Sequence, residues 1–262
     1  MSSAPFLLLS PALPSELLTY ILTHHAHPTT LIICSSRSEF LASLADDVLQ
    51  ETAPSDGVAP IGHPPETSTF TTAPDAPGAK QEQVRQRHRL LSSPLYQIAT
   101  SRYIRVVYIP TVTHLRAYLS VFSPEDSKVA VPPSYHDSPR KCAPCIILYG
   151  FLETHRDTSE WSAQGLGNSA SALVELGHRL SWQIIVIEPR RSRSASPFED
   201  FLRENVPFLS GGGRRLGPNA DAGGWTGRTA EVGRVMKRWF CFQLGEWDIN
   251  SDETTGTDAT KP

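Results

Sequence analysis

The sequence predicts an α/β protein, built on a mostly parallel sheet with helices on both faces, an antiparallel edge strand and disordered insertions. Three observations predict it. Short apolar runs alternate with segments of helical periodicity. The runs at 146–149 and 184–187 contain no charged or amide residue, the pattern of strands buried on both faces. Stretches rich in Pro, Thr and Ala, almost without large apolar side chains, interrupt the alternation.

FLLL at 6–9 reads as a buried strand; Pro14 then stands at a helix start, with Leu17, Leu18, Ile21 and Leu22 at helical spacing. LIIC at 31–34 is the next strand, followed by a helix with Ser38 as cap candidate and Phe40, Leu41, Leu44 and Val48 on one face. Residues 51–80 cannot bury enough surface to offset chain entropy and read as an insertion. The segment 81–101 looks helical and is broken by Pro94. IRVVYIP is a strand, and a helix begins near Thr111 with Leu115, Tyr118, Leu119 and Phe122 in register. A second polar insertion covers 123–140.

CIILYGFL is then a buried strand, Asn168 or Ser169 can cap a helix carrying Ala170, Leu173, Val174, Gly177 and Leu180, and WQIIVIEP is another strand. A long loop, 190–228, leads to RVMKRWFCFQLGEW, whose alternation suggests an antiparallel edge strand. One domain over 1–247 and an acidic tail over 248–262 account for the chain.

Charge and motifs narrow the function. The whole chain carries a formal charge of -3, yet from Arg190 to Arg238 ten basic residues face five acids. A local positive field of that kind attracts phosphate even on an acidic protein. The start has no basic leader, and Pro11 and Pro14 interrupt its apolar character, so neither a secretory signal nor a membrane association is expected. Cys142 and Cys145 form one CxxC without a second pair, which fits small side chains at a strand entrance better than a metal site.

A phosphate-binding loop needs glycines for close backbone approach and a lysine for charge. Between the first strand and first helix stands SPALPSELL, with neither, and its two prolines remove amides. The strand CIILY leads into Gly150 and Phe151 where a metal-holding acid would stand. GLGNSA at 165–170 matches a dinucleotide pattern, with Glu188 placed as a ribose-binding acid would be, but no strand immediately precedes it. The histidines His24, His25 and His27 read as a solvated helix end, and Asp46 and Asp47 as a polar helix face. No cofactor and no catalytic residue is expected.

Taken together, RYIRVVYIPTVTHLRAYLSVF, CIILYGFLETH, SASALVELGHRLSWQIIVIEP and RVMKRWFCF resemble the RecA-like recombinase core. In particular they resemble the recombinase paralogues without ATPase motifs, as in the Shu complex. That resemblance implies a non-catalytic nuclear subunit in homologous-recombination repair, paired with another RecA-like subunit and bound to single-stranded or forked DNA. It places two loops against DNA, here 153–164 and 190–228. In the second, Arg190, Arg191, Arg193, Arg214, Arg215 and Arg228 suit phosphates and Trp225 suits a base; Arg- and Gly-rich loops also occur solvated and without a ligand. Trp239 and Phe240 are the candidate partner contacts. The alternatives are a RecA-like scaffold subunit of an Elongator-type tRNA-modification complex and a nucleotide-dependent enzyme using GLGNSA.

Overall fold

The computed structural model describes residues 6–25, 27–52, 89–92, 94–132, 143–190, 198–209 and 228–249. In chain order these form β1 (Leu7–Ala12), α1 (Pro14–His24), β2 (Thr29–Ile33), α2 (Arg37–Thr52), α3 (Leu95–Ser101), β3 (Ile104–Tyr108), α4 (Val112–Val121) and β4 (Cys145–Tyr149). They continue with α5 (Ala163–Leu180), β5 (Gln183–Pro189), α6 (Phe198–Leu202), β6 (Asn205–Pro207), β7 (Thr229–Glu231), α7 (Val232–Met236), β8 (Cys241–Gln243) and α8 (Glu246–Ile249).

Six strands make one sheet in the order β3-β2-β4-β5-β1-β8, all parallel. Strand alternation sends Leu8, Ile32, Ile146, Leu148, Ile184 and Val186 to one face, against α4, α5 and α7. Leu7, Leu9, Leu31, Ile33, Ile147 and Ile185 go to the other, against Leu17 and Ile21 of α1 and Phe40 of α2. Each fully buried aliphatic side chain contributes about 1.5–3 kcal/mol, so these two layers dominate stability.

Three expectations change. The last strand does lie at the sheet edge, but β8 pairs with β1 in the parallel sense, Leu7 opposite Cys241 and Leu9 opposite Gln243. Most of RVMKRWFCF belongs to α7 and the turn that links it to β8; antiparallel pairing occurs instead between β6 and β7 in a separate ribbon. Second, α2 is capped by Ser36 rather than Ser38: the Ser36 hydroxyl accepts from Glu39 N at 3.2 Å while Glu39 accepts from Ser36 N at 2.8 Å. Third, α5 starts before Asn168, because Ser162 accepts from Gly165 N at 3.0 Å and caps it there. GLGNSA is therefore helix, with no turn in which glycines would cradle a pyrophosphate. Gly165 is required by packing, since a Cβ there would run into the carbonyl oxygen of Glu160.

Nearly all of the expected insertion at 51–80, and 133–140 of the second, lie outside the described residues. Residues 123–132 are described and contain a short 3-10 turn at Pro124–Asp126. Among the described residues no helix is long and apolar enough to cross a membrane.

Candidate functional site

In a parallel α/β sheet, ligands bind beyond the carboxyl ends of the strands, and a helix N-terminus there offers free amides to an anion. At β1 this position is already filled by the chain itself. Pro14, the first residue of α1, has no N–H to offer. The amide of Leu13 donates to Glu16 Oε2 at 2.8 Å, and that of Ser15 donates to Asp47 Oδ2 at 2.9 Å. Asp47 is buried, so the reading of it as a solvated helix face is corrected: the carboxylate caps a helix 32 residues earlier in the chain.

Arg190, at the end of β5, closes the arrangement. Its Nη2 lies 2.5 and 2.6 Å from the two Glu16 oxygens, and its Nη1 donates to Asp248 at 2.9 Å. Residues beyond β8 and the end of β4 complete the seal: Trp247 Nε1 donates to Pro11 O at 3.0 Å, Gly245 N donates to Ser10 Oγ at 2.9 Å, and Tyr149 donates its hydroxyl to Ala12 O at 3.0 Å. Among the described residues, Glu16, Asp47 and Asp248 against one arginine leave an excess of negative charge where a triphosphate would need positive charge.

Glu188 is also committed elsewhere. It is 2% exposed and accepts from Leu152 N at 2.7 Å and Glu153 N at 3.3 Å, fixing the turn after β4. Burial pushes its carboxyl up to about 8 against the opposing pull of those two amides. A carboxyl spent on backbone donors and shut from solvent does not present itself to a ribose.

The segment 153–164 is held by its own ion pairs. Arg156 pairs with Glu204 and, at 3.0 Å, with Glu153, and stacks over Trp161 at 4.7 Å. Arg116 reaches Glu160 at 2.6 Å, Gly165 O at 2.9 Å and Ser169 Oγ at 2.8 Å. His155 donates from Nδ1 to Phe151 O at 2.7 Å, so its Nε2 accepts the Ser169 hydroxyl at 2.8 Å. Both residues are fully buried, and burial holds the imidazole below its ordinary range. A serine so enclosed, with an arginine already on its oxygen, is a structural link rather than a nucleophile. The segment's arginine is neutralised by two carboxylates, so this loop offers phosphate little.

His24 pairs with Glu246 at 2.8 Å, and burial together with the His24 charge lowers His25 to about 4. Among the described residues no cluster of three or more metal-ligating side chains occurs.

Positive charge without an ion-pair partner among the described residues gathers instead beside α7. A cleft of ≈ 680 Å³ opens between the first turns of α5 and the segment formed by α7 and the turn after it, lined by Gln164, Asn168, Phe208, Arg234, Arg238 and Trp239. Arg234 and Arg238 are exposed and form no ion pair among the described residues. Trp239 is half-buried against the core, and Phe208 is 39% exposed. Gln164 fixes the cleft's far lip by accepting from Leu209 N at 2.9 Å and donating to Leu209 O at 3.3 Å.

The sequence-predicted site residues divide accordingly. Arg190 is a largely buried partner of Glu16 and Asp248, an arrangement that favours a role in the fold over one at a DNA surface. Arg191, Arg193, Arg214, Arg215 and Trp225 lie outside the described residues. Arg228 is exposed at the entry to β7. Phe240 is 3% exposed in the core, so it is not a surface contact, and Trp239 faces the cleft. Sequence reasoning passed over Arg234 and Arg238, although two arginines four residues apart beside a tryptophan are a readable sign of a basic, aromatic surface.

Compared with family models, with curated proteins and with solved structures, the chain matches none.

Proposed function

We propose that the chain is a non-catalytic, RecA-like recombinase-paralogue subunit that supports homologous-recombination repair in the nucleus by binding a RecA-like partner and single-stranded or forked DNA. The observation that carries this reading is a division of labour at the carboxyl ends of the sheet. Where nucleotide chemistry would be housed, Glu16 and Asp47 take the helix amides. Two arginines that form no ion pair among the described residues, and a tryptophan, line an open cleft beside α5 and α7. Arginines suit phosphates, and an aromatic face suits an unstacked base, so a single strand fits the cleft better than a closed duplex.

With Phe240 in the core, partner contact falls to exposed apolar side chains elsewhere, among which Leu91, Leu95, Tyr96 and Ile98 cluster in sequence on and before α3.

The test is equilibrium binding of a fluorescent single-stranded oligonucleotide at rising salt, alongside measurement of ATP turnover with magnesium. Binding that weakens steeply with salt and no turnover are expected. Salt-insensitive binding, or magnesium-dependent hydrolysis above background, overturns the reading. Affinity purification addresses the partner: recovery within a tRNA-modification ring instead of with recombination factors replaces that half of the proposal.

A further inference from the structure

At the opposite rim, below the amino ends of the strands, lies a second cavity of ≈ 220 Å³ whose wall includes Pro28, Pro124, Val129, Trp182, Ser127 and Arg105. Arg105 is the second residue of β3, and strand alternation turns it toward α4. Its guanidinium carbon lies 5.8 Å from the centre of the Tyr118 ring and 5.6 Å from that of Phe122. Phe122 in turn packs edge-on to Trp182 at 5.9 Å. The aromatic cluster holds the cation in place but does not neutralise it.

Among the described residues no carboxylate pairs with Arg105 and no acidic side chain lines the cavity. Two polar atoms in this cluster are closed off from solvent and have no hydrogen-bond partner: Arg105 Nη1 and the Tyr118 hydroxyl. A buried donor without an acceptor costs about 1–3 kcal/mol, more when it carries charge. A partly buried guanidinium is ordinarily matched by an anion; the nearby described carboxylate, Asp126 on the turn after α4, acts on the Tyr118 hydroxyl but does not pair with Arg105.

We propose that this cavity binds a monocarboxylate, its oxygens pairing with the Arg105 guanidinium and its short apolar stem lying against Trp182, Pro28 and Pro124. Charge decides between the common anions. One guanidinium cancels one negative charge, whereas a phosphate monoester carries about -1.5 to -2 and would remain under-neutralised between apolar walls. The planar fork also fits a carboxylate with two parallel hydrogen bonds, here from the Nε–Nη2 edge, which is not closed off as Nη1 is. Size is consistent: at ~30 Å³ per water, the cavity equals about seven waters, room for a small acid or one peptide side chain or terminus. The site lies on the rim of the sheet away from the carboxyl ends, so it stands or falls independently of DNA binding.

The experiment follows the Trp182 indole N–H by NMR in the full chain, assigned with Trp182→Phe, while benzoate, benzamide and inorganic phosphate are titrated separately. Benzoate is expected to shift that signal saturably in the millimolar range, and benzamide to bind at least about tenfold more weakly. Arg105→Met, which keeps the stem without the charge, is expected to weaken benzoate by about tenfold or more. If that variant does not fold, Arg105→Lys replaces it and is expected to lose a similar factor, because the fork is gone. Equal shifts from benzamide, tighter binding of phosphate, absence of saturation by benzoate, or undiminished binding in the folded Arg105 variant overturns the proposal. A peptide with a free C-terminus, the same peptide amidated, and one with an internal glutamate identify the source: a terminus, a side chain, or, when none binds and benzoate does, a small free acid.

Discussion

Replacing Arg190 with Met tests whether the residue belongs to the fold or to a nucleic-acid surface. The side chain makes three charge-assisted contacts, at 2.5 and 2.6 Å to Glu16 and 2.9 Å to Asp248. The side chains of Arg190 and Glu16 are 15% and 17% exposed, and that of Asp248 26%. Removing one partner from a buried pair costs about 3–5 kcal/mol, and from an exposed pair less than about 1. Partial exposure places this network between those limits. Arg190 Nε is itself buried without a partner, so its removal returns some desolvation energy. The expected net loss is about 2 kcal/mol, which for a chain of this size lowers Tm by about 4–8 °C. Urea titration and thermal melts measure it, and a cycle with Glu16→Gln isolates the pairwise part. Raising the salt concentration should change the loss little, because partly buried charges are weakly screened. Oligonucleotide affinity, measured on the same variant below its melting point, should stay within about twofold of the parent. A variant that melts with the parent but binds DNA weakly would refute the assignment.

Neutralising Arg234 and Arg238 together to Ala should do the reverse: stability stays within about 0.5 kcal/mol, while oligonucleotide affinity falls and the salt slope shrinks by about one to two ions. Glu188→Gln should change the pH dependence of stability. Burial raises this carboxyl from 4.5 to about 8, so its contribution is complete below pH 4.5 and lost as pH rises toward 8. Urea midpoints of the variant relative to the parent should therefore improve steadily from about pH 5 to pH 8; a constant difference would show that Glu188 is ionised throughout. Gly177→Ala brings a Cβ to 2.7 Å from Ile184 Cγ1 and 2.7 Å from Phe6 Cε1. A loss of about 1–3 kcal/mol is expected in denaturant unfolding, and no loss would mean that α5 can lift from β5 at no cost.

The strands were legible because a strand buried on both faces admits almost no polar residue, and 146–149 and 184–187 obey that constraint. The helices on the two faces followed from periodicity, with start positions off by a few residues wherever several hydroxyls competed as caps, as at Ser36 and Ser38. The direction of β8 was not legible: three residues, Cys241–Gln243, carry no signal of sense, which is set by the path the chain takes after α7. The anion site at α1 was half legible. The missing glycine and lysine are local, but the carboxylate that replaces a ligand on Ser15 comes from Asp47, and the arginine over Glu16 comes from 174 positions along the chain. Pairings of that range leave no periodic trace in one sequence.

Loss of a phosphate cradle would by itself leave helix amides exposed at the carboxyl end of β1, and such amides attract adventitious anions. This chain has gone further, because Glu16 and Asp47 supply negative charge from within and Arg190 and α8 cover it. These carboxylates belong to the chain itself, so the end of the sheet beside β1 is occupied without a ligand instead of alternating between occupied and empty with one. Alternation is what couples a nucleotide to motion in a partner. Under the proposed scaffold role, influence on a partner would come from continuous contact, with an affinity set by exposed arginines and aromatic side chains and independent of nucleotide concentration.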